Sequence, residues 1–157
     1  IVLLLLAVPF MISYNSGYGT TTLDGLEYLS ASHPGDAGAV AYLRTLPPGE
    51  ILVEAESGDY SYFSRVSSFT GIPAIIGQPF HEYMWRGDAT GWFSERKTDI
   101  RDIYEKPELT VPLMKKYNAT LLYVGDPEFE RYDVSLPGTG LTKVYSEGTT
   151  TIYRISV

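Results

Sequence analysis

No cysteine occurs among the 157 residues of the chain. That absence excludes disulfides, thiolate metal sites and cysteine nucleophiles, and leaves the redox compartment open. Positive charge is scarce as well: 12 Lys and Arg stand against 19 Asp and Glu, a formal net charge of −7. Nucleic-acid modules need a basic surplus to displace counterions from phosphates, so no nucleic-acid partner is expected. Familiar catalytic fingerprints are missing too. There is no phosphate-cradling Gly loop, no serine elbow and no dinucleotide fingerprint, since Gly17-Tyr18-Gly19 lacks a third glycine. His81-Glu82 would need a second histidine at position 85 to build a zinc helix, and Trp85 stands there. Neither a metal nor a cofactor is expected.

What the chain does have is a core's worth of apolar residues, 44% of the total, in a length that fits one domain. It also has 13 tyrosines, whose rings with polar tips suit half-exposed surfaces and clefts. Its first twelve residues, IVLLLLAVPFMI, carry no charge. A membrane-spanning helix needs about 20 apolar residues, so this run is too short to span by itself. The expectation is that it ends a transmembrane helix begun upstream, preceded by further spans. The alternative is a buried N-terminal element of a soluble domain, but the run neither alternates nor leaves a polar face. No Lys or Arg precedes Arg44, and Asn118-Ala119-Thr120 is a glycosylation sequon. Both favour the extracytoplasmic side of a cell membrane. The expected layout is therefore a membrane helix end at 1–12, a polar linker at 13–32, and one soluble extracytoplasmic domain at 33–157.

Within that domain the patterns alternate between strand and helix. Asp36 is placed to cap a helix carrying Val40, Leu43 and Leu46 on one face. Ile51-Leu52-Val53-Glu54-Ala55 reads as a buried strand, 61–69 as a short amphipathic helix, and 73–77 as a second strand. Residues 78–105 read as a long stretch of mixed character, with 77–87 a loop and 95–105 a helix, and Pro107 opens another helix. Thr120-Leu121-Leu122-Tyr123-Val124-Gly125 is the clearest strand, and two alternating runs near the C-terminus form a hairpin. The fold class expected is α/β: a two- or three-layer mixed sheet, mostly parallel, with a C-terminal antiparallel hairpin.

Three groups of residues have the types that chemistry uses. Glu54, Glu56, Gly58, Asp59 and Tyr60 follow the first strand, where α/β proteins bind ligands, and two carboxylates two apart on a strand share a face. The 77–87 segment offers His81, Glu82, Trp85 and Arg86, suited to a polar, aromatic-walled pocket. Arg96, Asp99, Arg101 and Asp102 have the spacing of helix-surface ion pairs. The combined candidate cluster, for binding or for structure, is Glu54, Arg65, His81, Glu82, Trp85 and Arg86. Glu54, closing a strand that otherwise reads as core, needs a cationic partner, and Arg65 and Arg86 are the candidates.

Several of these residues run together as one signature: Glu54-Ala55, Tyr60, Arg65-Val66-Ser67, Thr70-Gly71-Ile72-Pro73, Gly77, His81-Glu82 and Trp85-Arg86-Gly87. With Lys116-Tyr117, Leu122-Tyr123-Val124-Gly125, Glu128 and Tyr132, this pattern resembles the C-terminal region of the archaeal and chloroflexal YYY-type polytopic membrane proteins. That family is similar to membrane glycosyltransferases of the GT-C type that use lipid-linked sugars. The resemblance implies a membrane-anchored, glycosyltransferase-like parent with this domain as its outer tail. The domain would work beside its own transmembrane region and help bind a lipid-linked sugar donor or a glycan or protein acceptor. The resemblance does not imply catalysis by this chain. Two other readings stand beside it: a non-catalytic binding or assembly module of a cell-surface membrane protein, and a hydrolase using Glu54, Glu56 and His81.

Overall fold

The structure, a computed structural model, describes residues 24–156. The apolar run at 1–12 and the first part of the 13–32 stretch lie outside the described residues. Two helices open the described chain, α1 (Gly25–Ser32) and α2 (Pro34–Leu43). They are followed by β1 (Leu52–Val53), α3 (Arg65–Thr70), α4 (Pro79–Arg86), α5 (Trp92–Glu105) and α6 (Pro107–Lys116). The chain closes with β2 (Leu121–Val124), α7 (Asp126–Arg131), β3 (Leu141–Glu147) and β4 (Thr150–Ile155). Among the described residues no helix is long and apolar enough to cross a membrane.

The four strands form one mixed sheet in the order β1-β2-β4-β3. β1 and β2 are parallel, while β2–β4 and β3–β4 are antiparallel. The helices and the mixed sheet match the expected class, and the C-terminal hairpin is β3–β4. The expectation of mostly parallel strands is corrected, because β4 seats itself directly beside β2 and the 73–77 run does not become a strand. That run keeps only one parallel bridge, Ala74 to Leu52. Two of its carbonyls are held by side chains: Arg96 Nη1 donates to Ile75 O at 2.9 Å and Ser64 Oγ to Gly77 O at 2.7 Å. A backbone whose acceptors are already occupied has less to offer a ladder.

Alternation along the strands sorts the core into two groups. Leu52, Leu121, Tyr123 and Ile152 pack with Ala39 and Leu43 of α2 and Val66 of α3. Val53, Leu122 and Val124 pack with Ile100, Ile103 and Tyr104 of α5 and Met114 of α6. Leu52, Val53, Leu121, Leu122 and Tyr123 are all fully buried, as expected of strands covered on both faces. Each such aliphatic side chain contributes about 1.5–3 kcal/mol of transfer free energy. The Tyr104 hydroxyl donates to Tyr123 O at 2.7 Å, so its polar tip is satisfied in the core.

Three local expectations need correcting. Asp36 does not cap α2; it lies inside the first turn of the helix, and its carboxylate is buried. Part of the stretch read as an irregular linker, 25–32, is helical and buries Leu29. The segment from Pro79 to Arg86, read as a loop, is a helix. Pro79 sits at its first position, and Asp59 accepts from the amides of Phe80 and His81 at 2.9 Å each, which is how this helix starts.

Candidate functional site

Because β1 and β2 run parallel, their C-terminal ends emerge at the same edge of the sheet. The chain there places Glu54 to Glu56 beside Gly125 and α7, with α3 packed alongside. Glu54 closes the N-terminus of α3: its Oε2 accepts from Val66 N and its Oε1 from Ser67 N, both at 2.9 Å. Those amides have no partner inside the helix, and a carboxylate also answers the positive end of its dipole. Burial pushes the Glu54 carboxyl above its ordinary range, with the Ser67 and Val66 hydrogen bonds and the Arg65 charge pulling the other way.

Arg65, 3% exposed, is the centre of this edge. Its Nε donates to Asp36 Oδ2 at 2.5 Å, and its Nη2 and Nη1 donate to Glu128 at 3.0 and 3.3 Å. The guanidinium carbon lies 5.1 Å from the ring centroids of both Tyr62 and Tyr123. The carboxylates around it are shared further. Asp36 also accepts from the hydroxyls of Tyr62, Tyr123 and Thr150, at 2.8, 2.6 and 3.2 Å. Glu128 accepts from Ala55 N and Gly125 N, each at 2.9 Å. One arginine and its two carboxylates thus clasp α2, α3, β2, α7, β4 and the chain leaving β1. The geometry is that of a brace, in which buried charges satisfy one another.

The electrostatics agree. Burial alone would raise the Asp36 carboxyl, but the Arg65 hydrogen bond and charge, then the hydrogen bonds of Tyr123 and Tyr62, bring it below its ordinary value. A carboxyl depressed in the folded state contributes stability above its unfolded value, near 3.8, and loses it as pH falls through the lower folded value. The melting temperature should therefore fall on acidification below about pH 4, and Asp36→Asn should flatten that limb. An Asp36→Asn melting profile as steep in acid as the parent's would sink the assignment.

Gly125 makes the clasp possible. A Cβ there would lie 3.1 Å from Arg65 Nη2, 3.3 Å from Tyr123 and 3.4 Å from Asp36 Oδ1. Gly125→Ala is expected to lower stability by about 1–2 kcal/mol, read as a denaturant midpoint. An unchanged midpoint would show that the clasp yields freely.

The α4 segment is of another kind. Tyr60, Phe80, Tyr83, Met84 and Trp85 are five of the seven large apolar side chains exposed among the described residues. Trp85 is 80% exposed and stacks on His81, with centroids 5.4 Å apart and planes within 10°. The Tyr60 hydroxyl lies 2.6 Å from His81 Nε2, so the imidazole is held from a second direction. Glu82 turns inward, accepting from Gly77 N at 2.9 Å, while Arg86 pairs with it at 3.3 Å on the surface.

The candidate cluster therefore divides. Glu54 and Arg65 belong to the buried edge, whereas His81, Trp85 and Arg86 belong to the exposed helix, with Glu82 tying that helix to Gly77. The clefts beside α4 and at the start of α2 are lined by none of the six. Arg65 pairs with Asp36 and Glu128 rather than with Glu54, whose needs are met by backbone amides. Glu54 and Glu56 do not act as a pair either: β1 ends at Val53, and Glu56 turns to Lys97 and Arg131 at 3.4 and 3.5 Å. With Glu54 capping α3, Glu56 buried and His81 on the surface helix, the trio expected for hydrolysis is not assembled. In α5, Asp99 binds Lys116 and Tyr117, and Asp102 binds Lys106, instead of the arginines of their own helix. Asp36 as a buried partner, Glu128, Lys97 and Arg131 are the functional-looking residues that residue patterns do not single out. Only a topology places them together, although Glu128 is part of the resemblance.

No model of a known protein family, no curated protein and no solved structure matches the chain.

Proposed function

We propose that this chain is the extracytoplasmic, non-catalytic accessory domain of a membrane protein resembling lipid-linked-sugar glycosyltransferases, and that it binds a glycan-bearing donor or acceptor. The observation that carries this reading is the exposed Trp85 ring, backed by His81 and Tyr60. A large aromatic face left in water costs solvation, and grouped exposure of this kind marks an interaction surface rather than a fold requirement. Sugars present apolar C–H faces and hydroxyls together, and a flat indole beside polar tips matches both. Asp59 on the first amides of α4 and Glu82 on Gly77 N hold the helix in place, so the platform needs little ordering on binding. The parent's membrane region would supply catalysis and hold the domain at the membrane.

The test is a titration of the chain with neutral and acidic oligosaccharides, followed by indole fluorescence. Saturable change that depends on Trp85 is the expected result. The same chain binding a surface protein through Phe80 and Met84, with no response to any glycan, would favour an assembly module instead.

A further inference from the structure

Beside the platform lies a cleft of about 410 Å³, within the range that holds small molecules. Phe80 and Tyr83 of α4 and Phe93 of α5 form its apolar wall, Gly58 its backbone rim, and Lys97 and Arg131 its cationic floor. Behind the two cations sits Glu56, with its side chain 2% exposed and its Oε2 lacking any hydrogen-bond partner. Lys97 Nζ stands 3.4 Å from Glu56 Oε2, and Arg131 Nη2 stands 3.5 Å from Oε1. Both separations exceed the ordinary charge-assisted hydrogen bond of about 2.7–2.9 Å. The cations are held near the carboxylate by charge, and Arg131 Nε donates to the backbone at Glu56 O. Both side chains are more than a third exposed, and both line the cleft.

The cleft and its backing hold two cations and two carboxylates, and both carboxylates are already engaged within the protein. The two cations face the buried Glu56. Asp59 also lines the cleft, but its two oxygens accept from the first amides of α4 and its charge answers that helix end. We propose that this cleft takes the anionic substituent, a phosphate ester or a carboxylate, of a sugar whose neighbouring ring lies on Trp85. This deepens the glycan-binding reading and rests on it for the second half of the statement. Phe80 joins the two places: it lines the cleft, and its ring centroid is 6.5 Å from that of His81, on which Trp85 stacks. The ligand class is then an acidic or phosphorylated sugar rather than a neutral one. An Arg fork and a Lys point charge on one side, with an aromatic wall on the other, match an oxyanion carried on an apolar-faced ring.

The experiment is an amide-resolved NMR titration of the full chain, in a detergent without a sugar head group. The probes are inorganic phosphate, glucose 6-phosphate, glucuronate and glucose. Glucose 6-phosphate or glucuronate is expected to move the Gly58 and Lys97 amides and to bind about tenfold or more tighter than glucose. Which of the two binds tighter identifies the anion, and inorganic phosphate is expected to compete. Lys97→Gln should lose that advantage. Should Lys97→Gln misfold by stranding Glu56, the paired exchange Lys97→Gln with Glu56→Gln removes the Lys97 contact at unchanged net charge and should lose part of it. Equal affinity for glucose and the acidic sugars, or full affinity in both variants, would overturn the cleft. Movement of the cleft amides while the Trp85 indole signal stays fixed would sustain the cleft and overturn the platform. Movement of the Trp85 signal alone would do the reverse.

Discussion

Arg65→Met is expected to destabilise the domain by about 3–5 kcal/mol, enough to lower the melting temperature by roughly 10 °C or more. The reason lies less in the hydrogen bonds removed than in the charges left behind. Methionine fills much of the arginine's volume and can rest between Tyr62 and Tyr123. It cannot donate to Asp36 or Glu128, both of which remain buried. A carboxylate stranded without a cation bears its desolvation uncompensated, or takes up a proton. Arg65→Lys should recover only part of the loss, because one ammonium cannot reach Asp36 and both oxygens of Glu128 in the same plane. Thermal melts of the two variants at neutral pH check this. A Met variant melting within a degree or two of the parent would show that the clasp is redundant.

The second large effect concerns binding without folding. Trp85→Ala is expected to leave the melting temperature nearly unchanged, since an exposed side chain off the core seldom moves stability by more than about 0.5 kcal/mol. Glycan affinity should fall about thirtyfold, the scale of a central aromatic anchor. Trp85→Phe should keep a smaller platform and part of the affinity. Calorimetric titration of the three proteins with one acidic oligosaccharide separates the outcomes. A drop of several degrees in melting with binding retained would make Trp85 a brace on His81, and the platform would fall.

Legibility in the sequence follows the range of the forces involved. The runs at Leu52-Val53 and 121–124 are readable as strands because continuous β-branched and apolar stretches bounded by turns have few other uses. Helices α5 and α6 are readable from their periodic Ile100, Ile103 and Met114 and from Pro107. Helix α4 is not, because Pro79 and the run of aromatic and charged residues resemble a loop. Its start depends on Asp59, 21 residues before Phe80, rather than on an adjacent cap. The parallel expectation fails at 73–77, where Arg96 and Ser64 take carbonyls that a strand would need. At the site, the need of Glu54 for a partner is readable, but the partner's identity is not. An amide pair at a helix start satisfies a carboxylate as well as an arginine does, and residue order offers no way to choose between them. Asp36 and Glu128 meet Arg65 only through the sheet.

The residues joined by Arg65 come from far apart along the chain. Asp36 and Thr150 are 114 positions apart, Asp36 and Tyr123 87, and Arg65 and Glu128 63. Contacts over such spans are entropically slow to close, so they form only when β1, β2 and β4 are already side by side. On that ground the clasp is expected to close late, after the barrier that folding crosses. For Arg65→Met this means that the unfolding arm of the denaturant chevron should rise while the refolding arm stays in place. The lifetime of the folded domain, rather than its speed of assembly, is what this one arginine sets.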